Sequence, residues 1–195
     1  MRAFLFATPL IMFILFATPN AALSQDRQAA ARDKLKSMGI SFETPFFESA
    51  VSTGNLRTAT LFLDGGMSAK LKDDKGWTLL MEAAKWGRIA IIERLLERGA
   101  EVNATTAGRR SALMIASWWG RPKVAAALVK AKADVNGKDA FGRTALLDSG
   151  GGLALRLGSP TLQRTFKLTL TADINAKRQI AALLLDHGAQ VDAKD

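Results

Sequence analysis

Four places in the 195-residue sequence carry residue types from which chemistry could be built. His187, the only histidine, could act as a general base or metal ligand. Asp73 and Asp74 are adjacent carboxylates, the kind of pair used in acid–base work. Gly150, Gly151 and Gly152 form a run that could approach a phosphate, and four tryptophans with nearby arginines are the side-chain types that anchor interfaces.

The first three fail as catalytic devices. A base or ligand needs oriented partners, and His187 sits in "LLLDHGA" beside a helix-ending glycine with no partner set by the pattern, so a structural or solvent-facing role is expected. No Gly-Lys-Ser/Thr follows the triple glycine, which removes the phosphate-loop reading. The sequence has no cysteine, so a thiol nucleophile, a thiolate metal site and a disulfide framework are excluded. The expectation is a protein that is not an enzyme and needs neither cofactor nor metal.

The elements that position the remaining candidates follow from composition and periodicity. With 48% apolar and 23% charged residues, the chain can bury a continuous core. Its start, "MRAFLFATPLIMFILFATPNAALSQD", has a basic Arg2, an apolar run from Ala3 to Thr18 and small residues at Ala22 and Ser24. That is a secretory signal pattern, residues 1–24, with the cut expected between Ser24 and Gln25. The run is shorter than the roughly 20 residues that span a bilayer, which disfavours an uncleaved anchor. Periplasmic or secreted localisation is expected, and the lack of cysteine suits an oxidising compartment. The net charge of +9 falls to +8 without Arg2, and its excess lies in one segment. Asp26 to Ala104 holds 12 basic and 11 acidic residues, Thr105 to Thr171 holds 11 and 3, and Ala172 to Asp195 holds 3 and 4. Such asymmetry points to an anionic partner or to a merely basic soluble surface.

Self-comparison reveals an array. Gly54, Gly87 and Gly120 are spaced by 33, as are Gly66 and Gly99, Leu80, Leu113 and Leu146, and Thr78, Ser111 and Thr144. Within a unit, "TLLMEAAKW" and "IAIIERLLER" carry apolar residues at helical spacing, a glycine separates them, and a polar turn such as "GAEVNAT" follows. The small Ala83, Ala84, Ala116 and Ser117 are expected to let helices approach. Leu95, Leu96, Leu128, Leu184 and Leu185 are expected to fill the seams, and Asn103 and Asn136 to hold loop backbone.

The segments "GWTLLMEAAKWGRIAIIERLLERGAEVNAT" and "GRRSALMIASWWGRPKVAAALVKAKADVNGK" resemble ankyrin repeats. "TPFFESAVSTGNLRTATLFLDGGMSAKL" matches more loosely, and a fourth unit is split between "DAFGRTALLDSG" and "RQIAALLLDHGAQVDAKD". In that fourth unit Gly188 comes 23 residues later than position 165, where the period would place it. The resemblance implies an all-α solenoid of about four helix-turn-helix units over residues 44–195, with units 44–73, 74–106, 107–139 and 140–195, preceded by a capping segment over 25–43. The chain stops at "VDAKD", where a further repeat would open, so an unusual cap or a fragment is expected. The insertion, 150–175, alternates Leu153, Leu155, Leu157 and Phe166, Leu168, Leu170 about Gly158-Ser159-Pro160, which predicts a β-hairpin, an irregular loop being the rival. "TADINAK" reads as a repeat's loop ending.

The resemblance also implies that Asp73 and Asp74 are solvated turn residues. Aligned on Thr78, Ser111 and Thr144, the units set Trp77 level with Arg110 and Arg143, Lys85 with Trp118, and Trp86 with Trp119. In the family these are variable positions on the loop tips and first helices that line the concave partner-binding face. The implied binding residues are Trp77, Lys85, Trp86, Arg110, Trp118, Trp119, Phe141 and Arg143, facing a protein partner that Lys85, Arg109, Arg110, Arg121, Lys123 and Arg143 would steer if it is acidic. The competing reading is a basic surface that adheres to anionic envelope components or nucleic acid.

Overall fold

The computed structural model describes residues 19–154 and 169–190, with side chains placed over 24–150 and 174–190. The apolar leader up to residue 18 and the centre of the insertion lie outside the described residues.

Nine helices are described: α1 (Pro19–Ser37), α2 (Thr44–Thr53), α3 (Leu56–Asp64), α4 (Leu79–Trp86), α5 (Ile89–Glu97), α6 (Ala112–Trp118), α7 (Pro122–Lys130), α8 (Ala145–Ala154) and α9 (Thr169–Asp186). They stack in two layers, α2, α4, α6 and α8 in one and α1, α3, α5, α7 and α9 in the other. Among the described residues strand pairing is limited to isolated bridges, Lys72 to Thr78 and Thr105 to Ser111, which close the loops between units. The expected all-α repeat solenoid is therefore the fold.

The recurring residues have defined jobs. Thr78, Ser111 and Thr144 cap α4, α6 and α8, their hydroxyls accepting from the amides of Met81 (3.2 Å), Met114 (3.3 Å) and Leu147 (3.3 Å). Ala83, Ala84, Ala116 and Ser117 are fully buried, which lets first helices of adjacent units pack backbone to backbone. Leu95, Leu128 and Leu184 are likewise sealed, whereas Leu185 is 45% exposed on the last described helix and does not fill a seam as expected. Arg88 and Arg121 reach back one unit: Arg88 donates to the carbonyl of Ser52 (3.0 and 2.9 Å) and Arg121 to that of Lys85 (3.2 Å), near the C-terminal ends of the preceding first helices. Their side chains pass within 3.0 and 3.2 Å of where a Cβ would stand at Gly54 and Gly87, so these glycines serve close approach as well as a left-handed turn.

Asn103 and Asn136 hold loop backbone as expected, but that of the next unit. Asn103 donates to Lys132 O (3.3 Å) and accepts from Asp134 N (2.8 Å), and Asn136 does the same with Gly188 O (3.0 Å) and Gln190 N (2.9 Å).

Of the two expectations about the insertion, one lies mostly outside the described residues and one changes. The hairpin's turn and most of both arms lie outside the described residues, while the outer ends, Leu153 and Leu170, fall in α8 and α9. "TADINAK" is helical rather than loop, because it continues backward the helix-forming run "RQIAALLLD".

Candidate functional site

The loop tips and the first-helix layer carry the four tryptophans and Phe141. Asp73 shapes one tip: its carboxylate accepts from the amides of Lys75 (2.9 Å) and Trp77 (2.7 Å). Thr106 accepts from Arg110 N (3.1 Å), and Asp139 from Phe141 N and Arg143 N (2.9 Å each), at the equivalent places. Asp73 is thus a turn-forming residue, and each tip projects an aromatic or arginine side chain just ahead of a helix cap.

Glu82, in the first turn of α4, joins two indoles. Its carboxylate accepts from Trp77 Nε1 (2.9 Å) and from Trp86 Nε1 (2.6 Å), bonds strengthened by the anionic acceptor. Trp77 is half-buried against the core. Trp86 is 44% exposed, and Trp119, its equivalent one unit on, is 47% exposed. Lys85 Nζ stands 5.1 Å from the Trp86 ring centre and 5.9 Å from that of Trp119, so an ammonium lies between two open indoles. Beside Trp77 and Glu82 a groove of about 410 Å3 continues toward α2, where Pro45, Glu48 and Ser52 line it.

Toward the other end the arginines are engaged within the fold. Arg110 pairs with Asp148 on α8 at 2.9 Å, and its guanidinium lies 5.8 Å from the Trp118 ring, which Lys177 approaches to 5.9 Å from α9. Asp148 is 2% exposed. Burial pushes its carboxyl above the usual aspartate range, against the pull of Arg110. Arg143 grips Asp139 Oδ2 through Nε (2.9 Å) and Nη2 (2.7 Å) while lying 5.3 Å from the ring of Phe141, itself 78% exposed. Burial works to raise the Asp139 carboxyl, but hydrogen bonds from Arg143 and from the Phe141 amide hold it below the usual range. Of the cations expected to steer an acidic partner, Arg110 is paired with Asp148, Arg121 with the Lys85 carbonyl and Arg143 with Asp139. Trp118 is half-buried among these partners, as is Lys85 between its two indoles, so Trp86, Trp119 and Phe141 are the exposed members of the predicted set.

Sequence reading missed Glu82, although its spacing of four to Trp86 on one helix was a visible signal. It also missed the pairing role of Asp148. His187 is exposed at the end of α9, with Nδ1 2.8 Å from the carbonyl of Leu183 in the same helix. Among the described residues no group of three or more histidines, cysteines or carboxylates is placed to hold a metal, and no helix is long and apolar enough to cross a membrane.

A model of the family "Ankyrin repeats (3 copies)" matches residues 22–106 and 46–139, together more than half of the chain. An ankyrin repeat-containing protein of Treponema pallidum (strain Nichols) is 37% identical over 85 residues, 44% of this chain and 28% of that protein. The ankyrin repeat, SAM and basic leucine zipper domain-containing protein 1 of Bos taurus is 37% identical over 57 residues, 29% of this chain and 12% of its own length. The chain thus spans less than a third of either relative.

Proposed function

The chain belongs to the ankyrin-repeat family, whose repeats are generally protein-interaction modules, and on that premise we propose that it is a non-enzymatic module binding a partner protein on its indole-bearing concave face. The observation that carries the reading is the row formed by Trp86, Lys85 and Trp119. Two half-exposed indoles from successive units flank one ammonium on helices whose backbones are locked together by buried small residues. Large, stiff aromatic surfaces on a rigid support lose little freedom when covered, which is how interface hot spots arise. Glu82 fixes the orientation of two indoles before any partner arrives.

The partner presents an anionic group opposite Lys85 and apolar surface to Trp86, Trp119 and Phe141. The rival reading as a binder of nucleic acid or anionic envelope material draws on the basic middle segment, but three of its arginines already have partners inside the fold, which favours the protein reading. The module acts after export, with the leader removed between Ser24 and Gln25. The anchors of α1, Ala31 and Leu35, lie downstream of that cut.

Cross-linked capture from the producing cell tests the reading. A partner retained by the wild-type chain and lost with Trp86→Ala/Trp119→Ala supports it, and identical capture by both contradicts it.

A further inference from the structure

On the other helix layer, the side-by-side packing of α1, α3 and α5 leaves a trough of about 940 Å3. Its floor is α3, with Leu61 and Asp64, and its walls are α1 and α5. Arg27 and Lys34 project from one wall, seven residues and so about 10 Å apart along the helix. Arg94 and Arg98 project from the other, one turn apart. Both arginines of α5 share Asp64, and Arg94 also meets Glu97 at 3.1 Å. The side chains of Arg27 and Lys34 are exposed and make no ion pair or hydrogen bond among the described residues, whereas Arg32 of the same helix donates to Gly65 O at 2.7 Å and lies over Phe42. Four cations thus face one trough across a single lining carboxylate.

We propose that this trough is a second binding site, for an acidic peptide segment of a partner protein. Its carboxylates seat first on Arg27 and Lys34, with Arg94 and Arg98 opposite sharing Asp64, while short apolar side chains meet Leu61 on the floor and Ala30 on the α1 wall. Guanidinium groups favour carboxylates because two parallel N–H groups match two oxygens. Four cations among its lining residues suit the carboxylates of an acidic peptide better than an acyl chain, whose binding requires burying its methylenes. The site lies on the layer opposite the indoles and does not rest on the concave-face reading.

The test is fluorescence anisotropy of the exported form, residues 25–195, with a fluorescein-labelled peptide of alternating glutamate and leucine. The peptide binds the wild type, and Arg27→Glu/Lys34→Glu weakens it roughly tenfold or more. Lys123→Glu/Lys130→Glu, the same charge change on exposed positions of α7, changes it by no more than about twofold, as screened distant charges should. Trp86→Ala/Trp119→Ala binds like the wild type, which separates this site from the concave face. Because Arg27 and Lys34 are exposed, the double reversal keeps its fold, checked by an unchanged thermal midpoint, and Arg27→Gln/Lys34→Gln gives an intermediate loss. Equal weakening by the two reversals, no peptide binding at all, or binding only to vesicles of phosphatidylglycerol and phosphatidylcholine overturns the proposal.

Discussion

Asn136 holds Gly188 across 52 residues of sequence in the same way that Asn103 holds Lys132 across 29. The difference, 52 minus 29, is 23, the number by which Gly188 departs from the repeat period. The insertion therefore leaves the register of the stack untouched: α9 docks on α7 as α7 docks on α5.

Replacing Asn136 with Ala leaves Gly188 O and Gln190 N without their partners. A loss of about 1 to 2 kcal/mol is expected in urea unfolding. Hydrogen exchange should show it as selective loosening of α9. Asn103→Ala, whose partners Lys132 O and Asp134 N lie in the following unit, should loosen the middle of the stack instead. Uniform protection across α9 in the Asn136 variant would refute the pinning role.

Lys132 and Arg109 adopt left-handed backbone, φ 69° and 58°, where the equivalent positions of other units hold Gly66, Gly99, Gly76 and Gly142. A side chain in that conformation costs about 1 kcal/mol relative to glycine. Lys132→Gly and Arg109→Gly should each raise stability by that order, while Lys132→Ala should not. A loss of stability in both glycine variants would show that these side chains make compensating contacts.

Much of this fold was legible because each unit repeats its own local chemistry. Thr78, Ser111 and Thr144 marked the period that aligns the units, and small residues at Ala83 and Ala116 announced close packing. What escaped were contacts set by the offset between stacked units. Arg121 finds the Lys85 carbonyl 36 residues back, and Arg110 finds Asp148 38 residues ahead. Neither spacing has a periodic signature within one helix, so the partners of these two expected steering cations could not be read from sequence. Trp118 looked as open as Trp119, but α9, arriving after the insertion, brings Lys177 against it. The helical start of α9 was hidden because "TADINAK" matches a loop pattern locally, and the helix that absorbs it lies downstream.

Asp148 and Asp139 bend the acid dependence of stability in opposite directions. The Asp148 carboxyl titrates above the ordinary value of 3.8, so the folded state holds its proton longer than the unfolded state. Its contribution falls as pH rises through the window just above 3.8. Asp139 titrates below 3.8, and its contribution is present above that value and lost as pH falls through its lowered pKa. Asp148→Asn should remove the decline above 3.8, and Asp139→Asn the collapse below it. Denaturant midpoints across the acidic range check both. Unchanged profiles would mean the carboxyls titrate as in the unfolded chain.

Glu82→Gln should loosen both indoles without unfolding the helix, since a neutral acceptor holds an indole N–H about half as strongly as a carboxylate. The expected signs are altered tryptophan emission, an unchanged thermal midpoint and partner binding weakened about fivefold. Binding equal to the wild type would show that indole orientation is not prepared by Glu82.

The most direct measurement is the dissociation constant of a captured partner for the wild type and for Trp86→Ala/Trp119→Ala, with the thermal midpoint of each. Affinity should be lower by about thirtyfold or more, as for interface anchors worth about 2 kcal/mol, with the midpoint nearly unchanged because both indoles are half-exposed. Unchanged affinity, or a fall in affinity matched by a collapse of the fold, would contradict it.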